Sequence, residues 1–179
     1  TGWWGVTDLP EVQESNLSYQ QFIYAAKNSV VRRWLRLGAS GWRLDVADEL
    51  PDSFIAGLAA AAKAEKPDAL VLGEVWEDAS NKQSYGEKRR YLFGEELDGV
   101  MNYPFRDAAQ AFVLGKLDAE DMAARFISQL ENYPPDALVN NLNLIGTHDT
   151  ARVLTVLGAD LPQLDRNTPA GRLAAEEYE

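Results

Sequence analysis

The sequence contains no cysteine. Disulfide scaffolds, thiolate metal sites and a cysteine nucleophile are thereby excluded. It contains one histidine, His148, which excludes every metal site built on several imidazoles. Basic residues are scarce: 17 Lys and Arg against 28 Asp and Glu give a formal net charge of −11. Such a surface repels a phosphate backbone, so no nucleic-acid partner is expected. No apolar run approaches the roughly 18 to 20 residues that span a bilayer, so no membrane partner is expected either. The first residues (TGWWGVTDLPEVQ) have neither the basic start nor the apolar stretch of a secretory leader. The expected location is the cytoplasm, with a leader upstream of Thr1 left open.

What is present is a chain of 179 residues, 46% hydrophobic and 25% charged, which suits a packed globular domain. Ser18 with Gln21 reads as a capping box opening a helix, in which Ile23, Val30, Val31, Trp34 and Leu35 recur at helical spacing and which stops at Gly38. Trp34 is expected in the core. Gly41 to Val46 reads as a strand, and Asp52 as the cap of an alanine-rich helix ending near Pro67. Ala69 to Val75 is a continuous apolar run of the kind a doubly covered parallel strand shows. Asn81 to Glu96 reads as irregular, with Lys88, Arg89 and Arg90 a solvated run. Gly99 to Tyr103 is a third strand. Helical patterns follow over Ala108 to Leu114 and Asp118 to Tyr133, closed by Pro134 and Pro135. Leu142 to Gly146 is a fourth strand, and Arg152 to Leu157 and Thr168 onward read as helical. There is no internal repeat, low-complexity segment or linker.

Strands alternating with helices predict a parallel α/β layout, either an open sheet or part of a βα barrel. No glycine-rich phosphate turn follows any strand, whereas carboxylates stand at the C-terminal strand ends, the face that carries barrel active sites. On the first strand Arg43 and Asp45 share a face, and the cation favours an ionised Asp45, as a nucleophile requires. Glu74 ends the next strand among apolar residues with no basic neighbour in sequence, an environment that favours a proton donor. An attacking carboxylate beside a proton-donating carboxyl is the pair that glycoside cleavage uses. Asp149, next to His148, is the third acidic strand end. Trp76, just past Glu74, overlooks the pocket as a sugar-contact candidate. Each group has a plainer reading: Arg43–Asp45 as a structural ion pair, Glu74 as a helix cap, His148 as a satisfied core histidine, and Trp3 and Trp4 as packing or a hinge rather than sugar platforms. Three carboxylates at three strand ends argue against taking all of these together.

In this order and spacing, GWRLDVADE, GEVWEDA and NLIGTHDTAR resemble signature regions of the alpha-amylase family of glycoside hydrolases. WWGVTDLPEVQESN and DGVMNYPFRDA resemble segments of its neopullulanase, cyclomaltodextrinase and maltogenic amylase subgroup. The resemblance implies a partial (β/α)8 barrel, strands 4 to 7 with their helices. Residues 1–17 would lead out of an inserted second domain, and residues 18–179 would be barrel units. A complete barrel needs about 250 residues, and only four strands are readable, so the chain is expected to be a piece of a longer one. The resemblance further implies Asp45 as nucleophile, Glu74 as general acid/base and Asp149 as the third carboxylate, with Arg43 and His148 orienting substrate. Asp48 and Glu49 are further substrate-contact candidates. Two departures, Asp48 where the subgroup has Asn and Leu9–Gln13 (LPEVQ) where it has Met-Pro-Lys-Leu-Asn, bear on acceptor preference. The implied activity is retaining hydrolysis of α-1,4, and by extension α-1,6, bonds in maltooligosaccharides, cyclodextrins or related α-glucans. No cofactor is implied. Calcium supports members of the wider family through ligands largely outside this chain, and a homodimeric parent is compatible with the subgroup. The competing expectations are a silent amylase-like binding module, disfavoured by the three carboxylates, and an unrelated α/β binding protein.

Overall fold

The structure, a computed structural model, describes residues 2–158. Residues 2–10 fold back through an antiparallel bridge between Gly2 and Pro10. The first helix is capped by Asn16 rather than by Ser18: the Asn16 carboxamide oxygen accepts the Ser18 N–H at 2.9 Å, and α1 spans Leu17–Gln20. The single long helix expected up to Gly38 is broken. A π turn occupies Gln21–Ala25, the backbone extends at Ala26, and α2 runs Val30–Arg36. The break is closed locally, because the buried Ser29 hydroxyl (3.0 Å) and Arg32 Nε (3.2 Å) both donate to the Tyr24 carbonyl. On so short a helix Val31 and Leu35 take the core-facing positions. Trp34, expected in the core, falls beside that face and is 54% exposed.

Strand β1 is Gly41–Leu44, followed by α3 over Asp52–Glu65 and β2 over Leu70–Gly73. Gly41 is required where it stands, since a Cβ there would lie 2.0 Å from the Leu70 carbonyl oxygen of the paired strand. The stretch expected to be irregular contains a hairpin, β3 (Gln83–Ser84) and β4 (Glu87–Lys88). Then come β5 (Gly99–Asn102) and α4 (Tyr103–Val113), which starts five residues before the expected Ala108 because the Asn102 side chain accepts the Phe105 N–H at 3.1 Å. Helix α5 spans Ala119–Asn132, within the expected Asp118 to Tyr133, and Asp118 caps it by accepting the Asp121 N–H at 2.8 Å. Pro134 and Pro135 end it, and Pro135 also opens a further helix, α6 (Pro135–Asn140). Strand β6 is only Leu142–Asn143, and α7 spans Val153–Leu157. The helix expected from Thr168 lies outside the described residues.

Strands β1, β2, β5 and β6 form one parallel sheet in that order, with Arg43 level with Leu72 and Met101 level with Leu142. This is the predicted α/β layout; over the described residues the sheet does not close into a barrel. The core lies between its helix-facing side and α2 and α3. There Val71, Val75 and Val100 meet Ile55, Leu58 and Ala62, the small alanines letting α3 lie close to the strands. No helix among the described residues is long and apolar enough to cross a membrane. Because all four strands are parallel, their C-terminal ends share one edge, where Asp45 and Glu74 stand; Asp149, expected at the end of a fourth strand, lies six residues past β6 in the loop beyond it.

Candidate active site

Asp45 and Glu74 stand immediately past β1 and β2. Pleating puts Arg43 on the Asp45 side, and its guanidinium meets both acids: Nη1 donates to Asp45 Oδ1, while Nη2 lies 3.2 Å from Glu74 Oε1. That Nη2 contact is ionic only, since Nη2 has no aligned hydrogen-bond partner. Glu74 has no basic neighbour in sequence, yet parallel pairing brings the Arg43 guanidinium across from the neighbouring strand. The Arg43 Nε points to the Met101 sulfur at 3.2 Å, completing the placement of its plane.

The two acids differ in exposure. The Asp45 side chain is 68% exposed, whereas that of Glu74 is 6% exposed. Glu74 is held at both oxygens: Oε2 accepts the Val46 N–H at 2.7 Å and Oε1 accepts Trp76 Nε1–H at 3.0 Å. Val46 reaches it because the chain turns sharply after Asp45, at φ 42°, a left-handed conformation that a β-branched residue adopts only under constraint. The same turn sends the Ala47 N–H to the Glu74 carbonyl at 3.2 Å. One backbone kink thus exposes Asp45 and anchors Glu74.

Trp76 sits beyond Glu74, 44% exposed, with its ring stacked on Tyr103 at 4.2 Å and 9°. Tyr103, at the end of β5, reaches Thr147 in the loop after β6 at 3.3 Å. Sequence reading did not single out Tyr103; its place at the end of the expected strand Gly99 to Tyr103 was the available signal. Asp149 and His148 lie in that loop, their side chains 3.2 Å apart, with the Asp149 N–H on the Thr147 hydroxyl at 3.2 Å. No hydrogen bond or ion pair among the described residues joins them to Arg43, Asp45 or Glu74; they share the sheet edge without touching that cluster. An open cleft of about 690 Å³ runs from Trp76 and Asp78 past Asp107 to Arg125, beside the carboxylate pair rather than over it.

Asp48 and Glu49 follow on the turn after Asp45, and both carboxylates are engaged within the chain. Asp48 accepts the Tyr91 hydroxyl at 2.6 Å and pairs with Lys82 Nζ at 2.9 Å. Burial alone would lower the Lys82 pKa, but hydrogen bonds to Glu77 and Asp48 outweigh it and hold the ammonium above its ordinary value. Burial, helped by the bond to Asp48, pushes the Tyr91 phenol up. Glu49 accepts Trp4 Nε1–H at 3.1 Å and the Tyr85 hydroxyl. Arg89 also departs from expectation. Expected on a solvated run, it is 7% exposed and grips the turn: Nε bonds Asp52 at 2.7 Å, Nη1 the Asp48 carbonyl at 2.8 Å and Nη2 the Leu50 carbonyl at 2.5 Å, with the guanidinium 4.7 Å above the Tyr91 ring. Among the described residues no group of three or more His, Asp or Glu is arranged to hold a metal ion.

Residues 5–174 match the family model described as alpha amylase, catalytic domain. The chain is 34% identical over 194 residues to an amylopullulanase from Thermoanaerobacter thermohydrosulfuricus, covering 96% of this chain and 12% of that protein. It is 35% identical over 158 residues to a cyclomaltodextrinase from Geobacillus thermopakistaniensis, covering 87% of this chain and 25% of the relative. Among solved structures, the Nostoc punctiforme debranching enzyme superposes with a TM-score of 0.77 at 32% identity, covering 89% of this chain and 34% of that one. The chain therefore spans a quarter or less of the two sequence relatives' own length.

Proposed function

We propose, on the premise that this chain belongs to the alpha-amylase catalytic-domain family, that it carries the hydrolytic centre of a retaining α-glucan hydrolase. The bonds cleaved are α-1,4 and by extension α-1,6 glucosidic links in maltooligosaccharides, cyclodextrins or related glucans. The observation that carries this reading is the single Arg43 guanidinium that meets both Asp45 and Glu74. Carboxylates that share one guanidinium stay close together, which supports a double displacement, whose pair sits about 5 to 5.5 Å apart, over the roughly 6.5 to 9.5 Å of inverting enzymes.

In this mechanism Asp45 attacks the anomeric carbon while Glu74 gives its proton to the glycosidic oxygen, and the chain beyond that oxygen departs as an alcohol. Water then attacks the glycosyl ester, Glu74 takes back a proton, and Asp45 is released as the carboxylate. The exposure of Asp45 suits the attacking group. The Val46 N–H and the Trp76 indole fix the direction in which Glu74 faces, so its proton transfer needs little reorientation. In this reading Asp149 and His148, in the loop after β6 at the same sheet edge, hold hydroxyls of the bound sugar. The cycle balances in protons and bonds without a cofactor.

Names of the relatives support the substrate class: one is an amylopullulanase, one a cyclomaltodextrinase, one a debranching enzyme. The test is proton NMR of the first products formed from maltotriose by the full-length protein. Maltose released with the α configuration is expected; β-configured product overturns the double displacement.

A further inference from the structure

Two aromatic residues occupy backbone conformations that bulky side chains avoid. Trp4 has φ 53° and Tyr85 φ 54°. Such outliers persist only where surroundings enforce them, and they concentrate at ligand sites. Tyr85 is the first residue of the two-residue turn between β3 and β4, with Gly86 second at φ 81°. In a turn with positive φ at both positions, Asn or Asp is the low-strain choice for the first.

Neither ring is there to fill the core, since Trp4 is 63% and Tyr85 76% exposed. Yet both are fixed, and by one carboxylate: Glu49 takes Trp4 Nε1–H on one oxygen and the Tyr85 hydroxyl on the other. The hairpin is tied to the same turn by Ser84, whose hydroxyl donates to the Asp48 carbonyl at 3.1 Å. With their polar tips already bonded, the two side chains offer only their faces. Rigid aromatic faces with engaged tips match the apolar C–H face of a glucopyranose ring and cost little side-chain entropy on binding.

We propose that Trp4 and Tyr85, tethered by Glu49, form a rim subsite that stacks glucosyl units of an α-glucan beyond the two that flank the cleaved bond. The subsite rests on the reading of Asp45 and Glu74 as the hydrolytic centre. In it Glu49 is a positioning residue, acting through the two rings rather than on the sugar.

The test uses the full-length protein carrying Glu74→Gln to stop turnover, with maltoheptaose and maltose titrated by calorimetry. Added Tyr85→Ala or Trp4→Ala is expected to raise the maltoheptaose Kd about tenfold, about 1.4 kcal/mol, and to leave maltose binding unchanged. Tyr85→Phe, which keeps the face but loses the bond to Glu49, should give a maltoheptaose Kd between those of the parent and Tyr85→Ala. Tyr85→Asn relieves the turn, so Tm should rise while maltoheptaose affinity falls, a pair of opposite changes that general loosening of the fold does not produce. An unchanged maltoheptaose Kd in both alanine variants, or equal weakening for the two sugars, overturns the subsite. Because binding is read without turnover, the two proposals fail separately. Chain-length-dependent binding through Tyr85 in a protein whose unsubstituted form cleaves no α-glucan leaves the subsite standing and refutes the hydrolytic reading.

Discussion

Arg89→Ala removes a buried cation that holds the turn after β1. The side chain bonds Asp52 and the carbonyls of Asp48 and Leu50, and it caps the Tyr91 ring. Its deletion leaves two carbonyls and a carboxylate without their donor. Breaking a buried pair from one side costs about 3 to 5 kcal/mol, and because the Asp52 side chain is 32% exposed and can recover water, the lower end of that range applies. A loss of about 3 kcal/mol is a large share of a domain's usual net stability, about 5 to 15 kcal/mol. The assay is urea unfolding followed by tryptophan fluorescence, at low salt and at high salt. The loss should persist at high salt, because a buried pair is little screened. Arg89→Lys, which replaces a planar fork with a point charge, should lie between the two. Loss of activity should accompany loss of stability, since the same turn carries the Val46 N–H that anchors Glu74. A change below about 1 kcal/mol, the value of an exposed ion pair, would refute the structural role given to Arg89.

Burial raises the Glu96 carboxyl from 4.5 to about 7, so the folded state binds its proton more tightly than the unfolded chain does. The stability this gives is full below pH 4.5 and is lost as pH rises to about 7, worth roughly 3 kcal/mol in all. Glu96→Gln should remove that slope and melt higher than the unsubstituted protein at pH 8; equal pH slopes in Tm for the two would contradict it. Trp76→Phe keeps a ring against Tyr103 but deletes the donor to Glu74, and kcat/KM on maltotriose should fall about tenfold, as one lost hydrogen bond of about 1.4 kcal/mol implies. Unaltered kcat/KM would show that the indole N–H does not position the acid. Gly41→Ala should lower stability by about 3 kcal/mol or more, because the clash is with a ladder carbonyl and not a movable side chain; a Tm within a degree or two of the parent would contradict the close approach.

The parallel α/β layout was legible because apolar strand runs alternate with helical spacing, and the positions of Asp45 and Glu74 at strand ends follow from those runs alone. Their relation to Arg43 was half legible. Pleating predicts Arg43 beside Asp45, but its contact with Glu74 depends on which strand is the neighbour, and a one-dimensional pattern does not state pairing. Arg89 shows the same limit in stronger form. A cation inside a KRR run looks solvated, and what buries it is a turn some 40 positions earlier in the chain. The break before α2 was hidden because Ile23 and Val30 keep a helical phase across it, while the bonds that close it come from Ser29 and Arg32 side chains. Trp34 misled by hydrophobicity: α2 is two turns long, and Val31 and Leu35 use up its inward face. Tyr85 had no pattern to announce it, since a two-residue turn with tyrosine first runs against turn preference, which is why its position asks for a function.

The central claim is that Asp45 and Glu74 divide nucleophile and acid between them. Trapping tests it most directly: the full-length protein is incubated with a fluorinated α-maltosyl donor bearing an activated leaving group, digested, and analysed by mass spectrometry. The account predicts a maltosyl ester on the peptide containing Asp45, formed with the activated donor even in Glu74→Gln and hydrolysed more slowly in that variant. A label on a different carboxylate, or turnover of the donor with no ester formed at all, would contradict it.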